Sequence, residues 1–293
     1  MPKKIHINSL ALEVTRRCNM HCAHCLRGDA QNQDMDPAMV STFLSQVDTI
    51  DSILFTGGEP TLNLPVIRQT LNVCKALRIP VLNFYIVTNG KEISREFLEL
   101  MIDWYVYCID CGGEVDFCGV ALSQDRYHDP IAPENVAKLR ALSFYRPDDK
   151  NTRNWKSVSL IDLGRARSLT DDQAKGQNLS KRDPAWTDEL RLEFQTNDDI
   201  VITDNTITVT ATGQVLLDCD YEYDNIDPLL LCKVEDFRTT VEGHAAQICP
   251  FACDSETCRL NPKGYCLIPD MYGRQPNIVY DEGCLDYIPD LPN

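Results

Sequence analysis

Long apolar runs are missing from this 293-residue chain, and so is any excess of basic charge. No stretch approaches the roughly 20 apolar residues that carry a helix across a bilayer, so no membrane span is expected. The opening MPKKIHINSL has two lysines but no continuous apolar region, and no signal peptide is expected. There is also no internal repeat and no low-complexity tract, which excludes a repeat architecture. Basic residues are scarcest at the C-terminal end. Residues 188–293 carry 6 Lys+Arg against 21 Asp+Glu, while residues 1–187 carry 22 against 23, so the last third holds nearly all of the net charge of −16. Such a field repels nucleic acid phosphates and favours basic or neutral partners, or it serves solubility alone. What remains is a globular composition, 43% hydrophobic, long enough for one large domain and a small one.

Cysteine is what the chain has in plenty, with 14 residues. In a small secreted domain that count reads as disulfides. In a chain of this size, with no leader expected, it reads as metal or cluster binding in the cytoplasm. Cys18, Cys22 and Cys25 stand close together in ALEVTRRCNMHCAHCLRGD. Three thiolates are one short of the four that close an iron–sulfur or zinc site, which leaves one iron of a four-iron cluster free for a small molecule. A truncated zinc knuckle or three buried thiols is the alternative.

The chain order supplies the context. Leu10–Val14 reads as a strand with the cysteine triplet on the loop after it. Asp36-Pro37 caps and opens a helix, SILF at 52–55 is a buried strand, and Thr56-Gly57-Gly58-Glu59-Pro60 ends it. A helix from Pro65 buries Ile67, Leu71, Cys74 and Leu77 on one face. A strand over 81–87 stops at Thr88-Asn89-Gly90, and Ser94 caps a helix bearing Phe97, Leu98, Met101, Ile102 and Tyr105. A strand at 117–122 leads to Ser123-Gln124-Asp125, followed by a helix over 133–145. Strands at 157–161 and 190–195 would complete six. This alternation predicts α/β architecture, a partial (β/α)6 TIM-like barrel over residues 1–196, with an open doubly wound sheet as the alternative. From residue 197 the β-branched alternation and turn signals predict a small antiparallel sheet. Together with the cysteine-rich stretch beyond, it makes an acidic C-terminal module over 197–293 with a β-hairpin and loops.

In a parallel barrel, functional residues gather on loops at the C-terminal ends of strands. The triplet, the GGEP turn, the Thr88-Asn89-Gly90 turn and Ser123/Asp125 all fall there and should converge. In these residues the chain resembles the radical S-adenosylmethionine (radical SAM) superfamily. The C-x3-C-x-φ-C signature is matched by Cys18, Cys22, His24 and Cys25, the glycine-rich turn by Gly57, Gly58, Glu59 and Pro60, with Asn19 and Thr88-Asn89-Gly90 also similar. The likeness covers roughly residues 8–165.

The resemblance implies that the three thiolates hold a 4Fe–4S cluster whose fourth iron is chelated by SAM, an S-adenosyl-L-methionine. One electron, from a reductant such as flavodoxin or ferredoxin, then cleaves SAM to methionine and a 5′-deoxyadenosyl radical that abstracts hydrogen from a substrate. It further implies that Gly57 and Gly58 admit SAM to the backbone, while Glu59 serves its amino end or stands as a buried structural carboxylate. Thr88 and Ser123, and less directly Asn89 and Asp125, would bond SAM's carboxylate or ribose, and His24 would pack near adenine. Arg165, in a Gly-Arg-Ala segment similar to one in peptide-modifying relatives, would pair the methionyl carboxylate or lie on the surface.

The other cysteines fall in two groups. Cys108, Cys111 and Cys118 have partial knuckle spacing but precede a strand, and so belong at the opposite end as structural thiols or a metal site. Cys219, Cys249, Cys253, Cys258, Cys266 and Cys284 resemble a SPASM or twitch extension, with spacings that depart from the family pattern. They imply an auxiliary iron–sulfur cluster at a subset of positions, a zinc site, or unligated thiols. The implied substrate is a peptide or protein side chain, oxidised or cross-linked. A small metabolite is the alternative, ahead of glycyl-radical activation and RNA modification, which the charge disfavours. An iron–sulfur sensor or scaffold without SAM turnover is the non-enzymatic alternative.

Overall fold

The computed structural model describes residues 3–124, 127–146, 160–170, 179–180, 190–196, 199–248, 266–269 and 276–279. Its centre is a large sheet that begins with β1 (Lys4–Thr15), buried without break over its last six residues as a strand covered on both faces must be. β2 (Thr49–Gly57), β3 (Val81–Thr88), β4 (Gly119–Leu122) and β5 (Tyr145–Arg146) follow in sequence order, each parallel to the last. Helices α1 (Pro37–Leu44), α2 (Leu64–Leu77), α3 (Arg95–Asp110) and α4 (Pro133–Arg140) make the crossovers. The result is an α/β fold with a mostly parallel sheet, as a partial barrel requires.

Local chemistry sets the helix ends. Asp36 accepts from the Ala38 N–H at 2.8 Å with Pro37 in the first turn, and Ser94 Oγ accepts from Phe97 N–H at 3.0 Å. α2 ends where Arg78 takes a left-handed φ of 57°. The buried faces follow the sequence reading in large part, with Ile67, Leu71 and Cys74 of α2 and Phe97 and Met101 of α3 buried as read, but not throughout. In α3 Phe97, Leu100, Met101, Trp104 and Cys108 are buried while Ile102 is exposed, and in α2 Leu77 is exposed. Trp104 is the reason. Its ring packs 5.1 Å from that of Phe55, and its Nε1–H reaches the Ile67 carbonyl at 3.3 Å, which fixes the rotation of α3 over the sheet.

Three expectations for later strands are corrected. The fifth parallel strand is the two-residue β5, held by the Val120 N–H to Phe144 carbonyl bond. β6 (Leu160–Ile161) instead pairs with β7 (Leu179–Ser180) in a separate two-stranded sheet. β8 (Leu192–Thr196) lies antiparallel to β9 (Asp199–Val209) rather than serving as a sixth parallel strand. β9 is that sixth parallel strand, paired with β1 on the edge away from β2. The antiparallel sheet expected after residue 197 is therefore continuous with the main one: β9, β10 (Gln214–Leu216) and β11 (Leu230–Lys233) extend it outward. A two-residue strand has no periodicity to read, and alternation does not say which partner a strand will find. α5 (Phe237–Ile248) packs back beneath α1, with Phe237 4.7 Å from Phe43. The strands β12 (Cys266–Pro269) and β13 (Pro276–Val279) pair with each other. No helix among the described residues is long and apolar enough to cross a membrane.

Candidate functional site: a cysteine loop over the strand ends

The C-terminal ends of β1 to β4 open onto a cavity of about 400 Å³. Cys18, Cys22 and Cys25 line it, together with Gly57–Pro60, Asn89, Ser123, His24 and Arg165. Thr88 does not, and Asp125 lies outside the described residues. The volume is within the range of small-molecule sites.

The three cysteines are half-buried and free of disulfides. They sit on a loop whose shape is held by backbone: the Cys25 N–H reaches the Cys22 carbonyl at 3.1 Å, and Met20 N–H points at Cys18 Sγ at 3.4 Å. Burial pushes the Cys18 thiol up from its ordinary pKa. Among the described residues no three His, Cys, Asp or Glu side chains converge as one ion requires. A cluster that gives each thiolate its own iron needs its sulfurs held apart around a space, and three cysteines around a shared cavity fit that demand.

The two glycines of the GGEP turn serve the loop. A Cβ on Gly57, whose φ is +142°, would stand 2.1 Å from the Thr15 carbonyl oxygen, and one on Gly58 would stand 2.2 Å from that of Arg17. The residues leading into the triplet therefore lie against the turn, with Gly58 N–H donating to Thr15 O and Glu59 N–H to Arg17 O, each at 2.8 Å. The sequence reading gave the glycines to SAM; the nearest obstacle to a side chain is the cysteine loop's own backbone.

Glu59 is 1% exposed and works as a clamp between turns. It accepts from the Thr61 N–H at 3.2 Å and hydroxyl at 2.7 Å, from Thr88 Oγ1 at 2.7 Å and from Asn89 N–H at 2.8 Å. Burial holds its carboxyl above the ordinary carboxylate range, against those four donors. Of the two readings offered, the structural carboxylate accounts for these contacts. Thr88, expected to bond SAM, is fully buried and spends its hydroxyl on Glu59 and on the Gly90 N–H at 3.0 Å. Asn89 donates to Asn19 Oδ1 at 2.8 Å, with Cys18 Sγ at 3.9 Å. Ser123 Oγ lies 3.1 Å from His128 Nε2, and His24 stacks on Tyr127 at 4.6 Å with His128 edge-on at 5.3 Å.

Arg165 also belongs to the loop. Its segment, Gly164–Ser168, is a 3-10 turn packed on the triplet, and a Cβ on Gly164 would meet the Cys25 and Leu26 carbonyl oxygens at 2.5 Å. Arg165 N–H donates to Cys25 O at 2.9 Å and its Nε to Cys22 O at 3.0 Å, while Nη1 reaches His21 at 2.7 Å and Asp29 at 2.8 Å. Arg165 is thus no loose surface group: its backbone N–H holds the Cys25 carbonyl and its guanidinium holds the Cys22 carbonyl.

A buried network that sequence reasoning missed fastens the loop from the β9 side. Glu13, with no exposure, pairs with Arg16 at 2.6 Å, accepts from Ala211 N–H at 3.1 Å and takes the Tyr221 hydroxyl. Burial raises the Glu13 carboxyl despite Arg16. Arg27 lies 3.9 Å over the Tyr221 ring and donates to its carbonyl at 2.9 Å, and Arg16 lies 4.7 Å over Tyr223. The available signal was two arginines bracketing the triplet and two tyrosines within an acidic run. Their long-range pairing was not readable.

The cysteines away from this rim differ. Cys108 and Cys118 are fully buried in the core and Cys111 caps α3. Cys219 is half-buried, its thiol pushed up to about 12 by burial and by Asp220 and Asp218. Cys249, Cys253, Cys258 and Cys284 lie outside the described residues, and of Cys266 only its strand is described.

Comparison with known proteins bears on this arrangement. Residues 12–107 match the family model described as the radical SAM superfamily. An uncharacterized protein of Methanocaldococcus jannaschii is 38% identical over 94 residues, 31% of this chain and 33% of that protein. A GTP 3',8-cyclase of Chlorobaculum tepidum is 32% identical over 179 residues, 56% of this chain and 52% of the cyclase. The chain thus spans a third of one curated relative and about half of the other. Among solved structures, anSMEcpe with bound AdoMet is similar with a TM-score of 0.46 and 14% identity, covering 81% of this chain and 80% of that one. The stretch that matches the family model, residues 12–107, carries the cysteine loop and the two turns braced against it.

Proposed function

We propose that the chain is a radical SAM enzyme, that Cys18, Cys22 and Cys25 hold a 4Fe–4S cluster, and that SAM enters the cavity beside it. The observation that carries the reading is the convergence of three half-buried cysteines, the Gly57–Pro60 turn, Asn89 and Ser123 on one cavity. Bound there, the cluster would supply one electron, drawn from a reductant of the flavodoxin or ferredoxin class, and SAM would supply the 5′-deoxyadenosyl group that takes a hydrogen atom from the substrate, with methionine released and a substrate radical left behind. The protein's own part is positional. The Gly57–Glu59 turn and Arg165 fix the carbonyls of the cysteine loop, Glu59 ties that turn to the Thr88–Asn89 turn, and His24 and His128 wall one side, with Tyr127 stacked on His24. Anaerobic reconstitution with iron, sulfide, SAM and dithionite tests the reading. 5′-Deoxyadenosine is expected from the wild type and none from Cys22→Ala; none from the wild type sinks it.

For substrate, the reading is a peptide or protein side chain, supported by the acidic, cysteine-rich segment after residue 197 and the Gly164-Arg165-Ala166 segment packed on the loop. That segment forms the second functional unit of the chain in this proposal, with an auxiliary iron–sulfur cluster on Cys219 and a subset of Cys249, Cys253, Cys258, Cys266 and Cys284, or zinc in its place. Iron, sulfide and zinc counts on a Cys18/Cys22/Cys25 triple alanine variant separate the two, and a mass change in basic peptides tests the substrate. A second reading, a small metabolite, is favoured by the similarity to the GTP 3',8-cyclase, and substrate-dependent deoxyadenosine formation with nucleotides would choose it. The setting proposed is the cytoplasm, where thiolates stay reduced, with neither nucleic acid nor membrane as partner.

A further inference from the structure

The run Tyr221–Asp224 enters the site from the acidic segment, and three of its four side chains are engaged. Tyr221 gives its hydroxyl to Glu13. Glu222 takes the Gly164 N–H and pairs with Arg167 at 3.2 Å. Asp224 accepts from Gln31 Nε2 at 2.9 Å. Tyr223 is the exception: it is 5% exposed, it lines the same cavity as the three cysteines, and its hydroxyl has no hydrogen-bond partner among the described residues. A buried hydroxyl without a partner is rare enough to ask what fills the place opposite it.

Its position is fixed from both ends. The Tyr223 N–H donates to the Arg27 carbonyl at 3.1 Å, two residues beyond Cys25, and its ring lies under the Arg16 guanidinium at 4.7 Å. Neither contact satisfies the hydroxyl. Burial, Glu13 and a thiolate at Cys25 all favour the protonated phenol, despite the nearby arginines, so the group keeps its proton to donate. Thiolate and sulfide sulfurs are the acceptors that the proposed cluster brings to this cavity, and hydrogen bonds to those sulfurs tune a cluster's potential.

Resting on the radical SAM reading above, we infer that the Tyr223 hydroxyl donates a hydrogen bond to sulfur on the Cys25 side of the cluster and thereby raises its reduction potential. Tyr223 is a positioning and tuning residue in this account. It offsets part of the negative field of the carboxylates around it, which by themselves would make the cluster harder to reduce.

The test is an EPR-monitored redox titration of the reconstituted full chain without SAM, comparing wild type with Tyr223→Phe. The expected result is a midpoint shifted to more negative potential in the variant, with iron and sulfide counts on the N-terminal cysteines unchanged. An unchanged midpoint overturns the inference. That includes the case where SAM binding weakens instead, which would assign the hydroxyl to SAM. Should Tyr223→Phe fail to load, wild-type protein exchanged into D2O is examined by ENDOR. An exchangeable deuteron strongly coupled to the reduced cluster is expected, and its absence overturns the inference equally. Failure of the function reading itself shows elsewhere, as a wild type that takes up no cluster at Cys18, Cys22 and Cys25, and the inference falls with it.

Discussion

Two groups of cysteines occupy opposite ends of the same parallel strands, and they show how position assigns chemistry to one residue type. Cys18, Cys22 and Cys25 follow β1, half-buried around a cavity, on a loop whose carbonyls are gripped by Arg165 and whose approach is pressed against two glycines. Cys108 and Cys118, before β4, are sealed in the core with the aromatic side chains of α3, as Cys74 is on α2. The first group is held open by backbone contacts, and the second is packed like any small apolar side chain.

The sharpest way to break this comparison is to remove one cysteine from each group. Cys18→Ala or Cys25→Ala should remove the N-terminal cluster's iron and its share of the visible absorption, and abolish all deoxyadenosine, while leaving the fold intact by circular dichroism. Cys108→Ala should leave both signals and cost about 1–2 kcal/mol in urea unfolding, from the small void it leaves. Loss of iron from the Cys108 variant would erase the distinction.

Gly58→Ala comes next. A methyl group 2.2 Å from the Arg17 carbonyl cannot be accommodated without moving the loop. The variant should lose roughly 2–4 kcal/mol of stability, in the tail that strained backbone produces, and retain little iron. A variant as stable and as well loaded as wild type would show that the turn does not set the loop.

How much of this was legible beforehand follows the same division. The rim residues could be assigned because glycine turns and strand ends have short-range signatures, and Asp36 and Ser94 capped helices as read. The six-strand count was reached with two wrong strands, those at 157–161 and 190–195. β5 has two residues, and β9 looked like the start of a separate sheet because alternation is the same whichever edge it joins. Gly57, Thr88 and Arg165 were read toward a ligand, and the protein contacts they also make formed no part of that reading. Those contacts join residues far apart in the chain, such as Arg165 to Cys22 and Tyr221 to Glu13, and no local pattern records them.

Smaller effects sharpen the picture. Glu59→Gln should cost about 1–3 kcal/mol at neutral pH, because one amide oxygen cannot accept from the four donors that surround the carboxylate; thermal denaturation measures it. Arg165→Ala should leave folding nearly unchanged but speed the loss of iron to a chelator, since the loop loses the bond at Cys22 and the ion pair to Asp29. Asp34→Asn is the mildest. Burial alone would raise that carboxyl, but hydrogen bonds from Arg17 and Thr15 outweigh it and hold it below its ordinary value. Its stabilisation is therefore present above the unfolded carboxylate pKa of about 3.9 and fades as pH falls through the folded one. The wild type and Asp34→Asn should converge in stability at the acid end of a pH series.

The central claim is that the incomplete cysteine loop leaves one cluster site open to SAM at the mouth of the Gly57–Pro60 turn. The most direct measurement is the EPR spectrum of the dithionite-reduced, reconstituted protein with and without SAM. The account predicts a reduced 4Fe–4S signal that depends on Cys18, Cys22 and Cys25 and changes shape when SAM is added. A signal identical with and without SAM would contradict it.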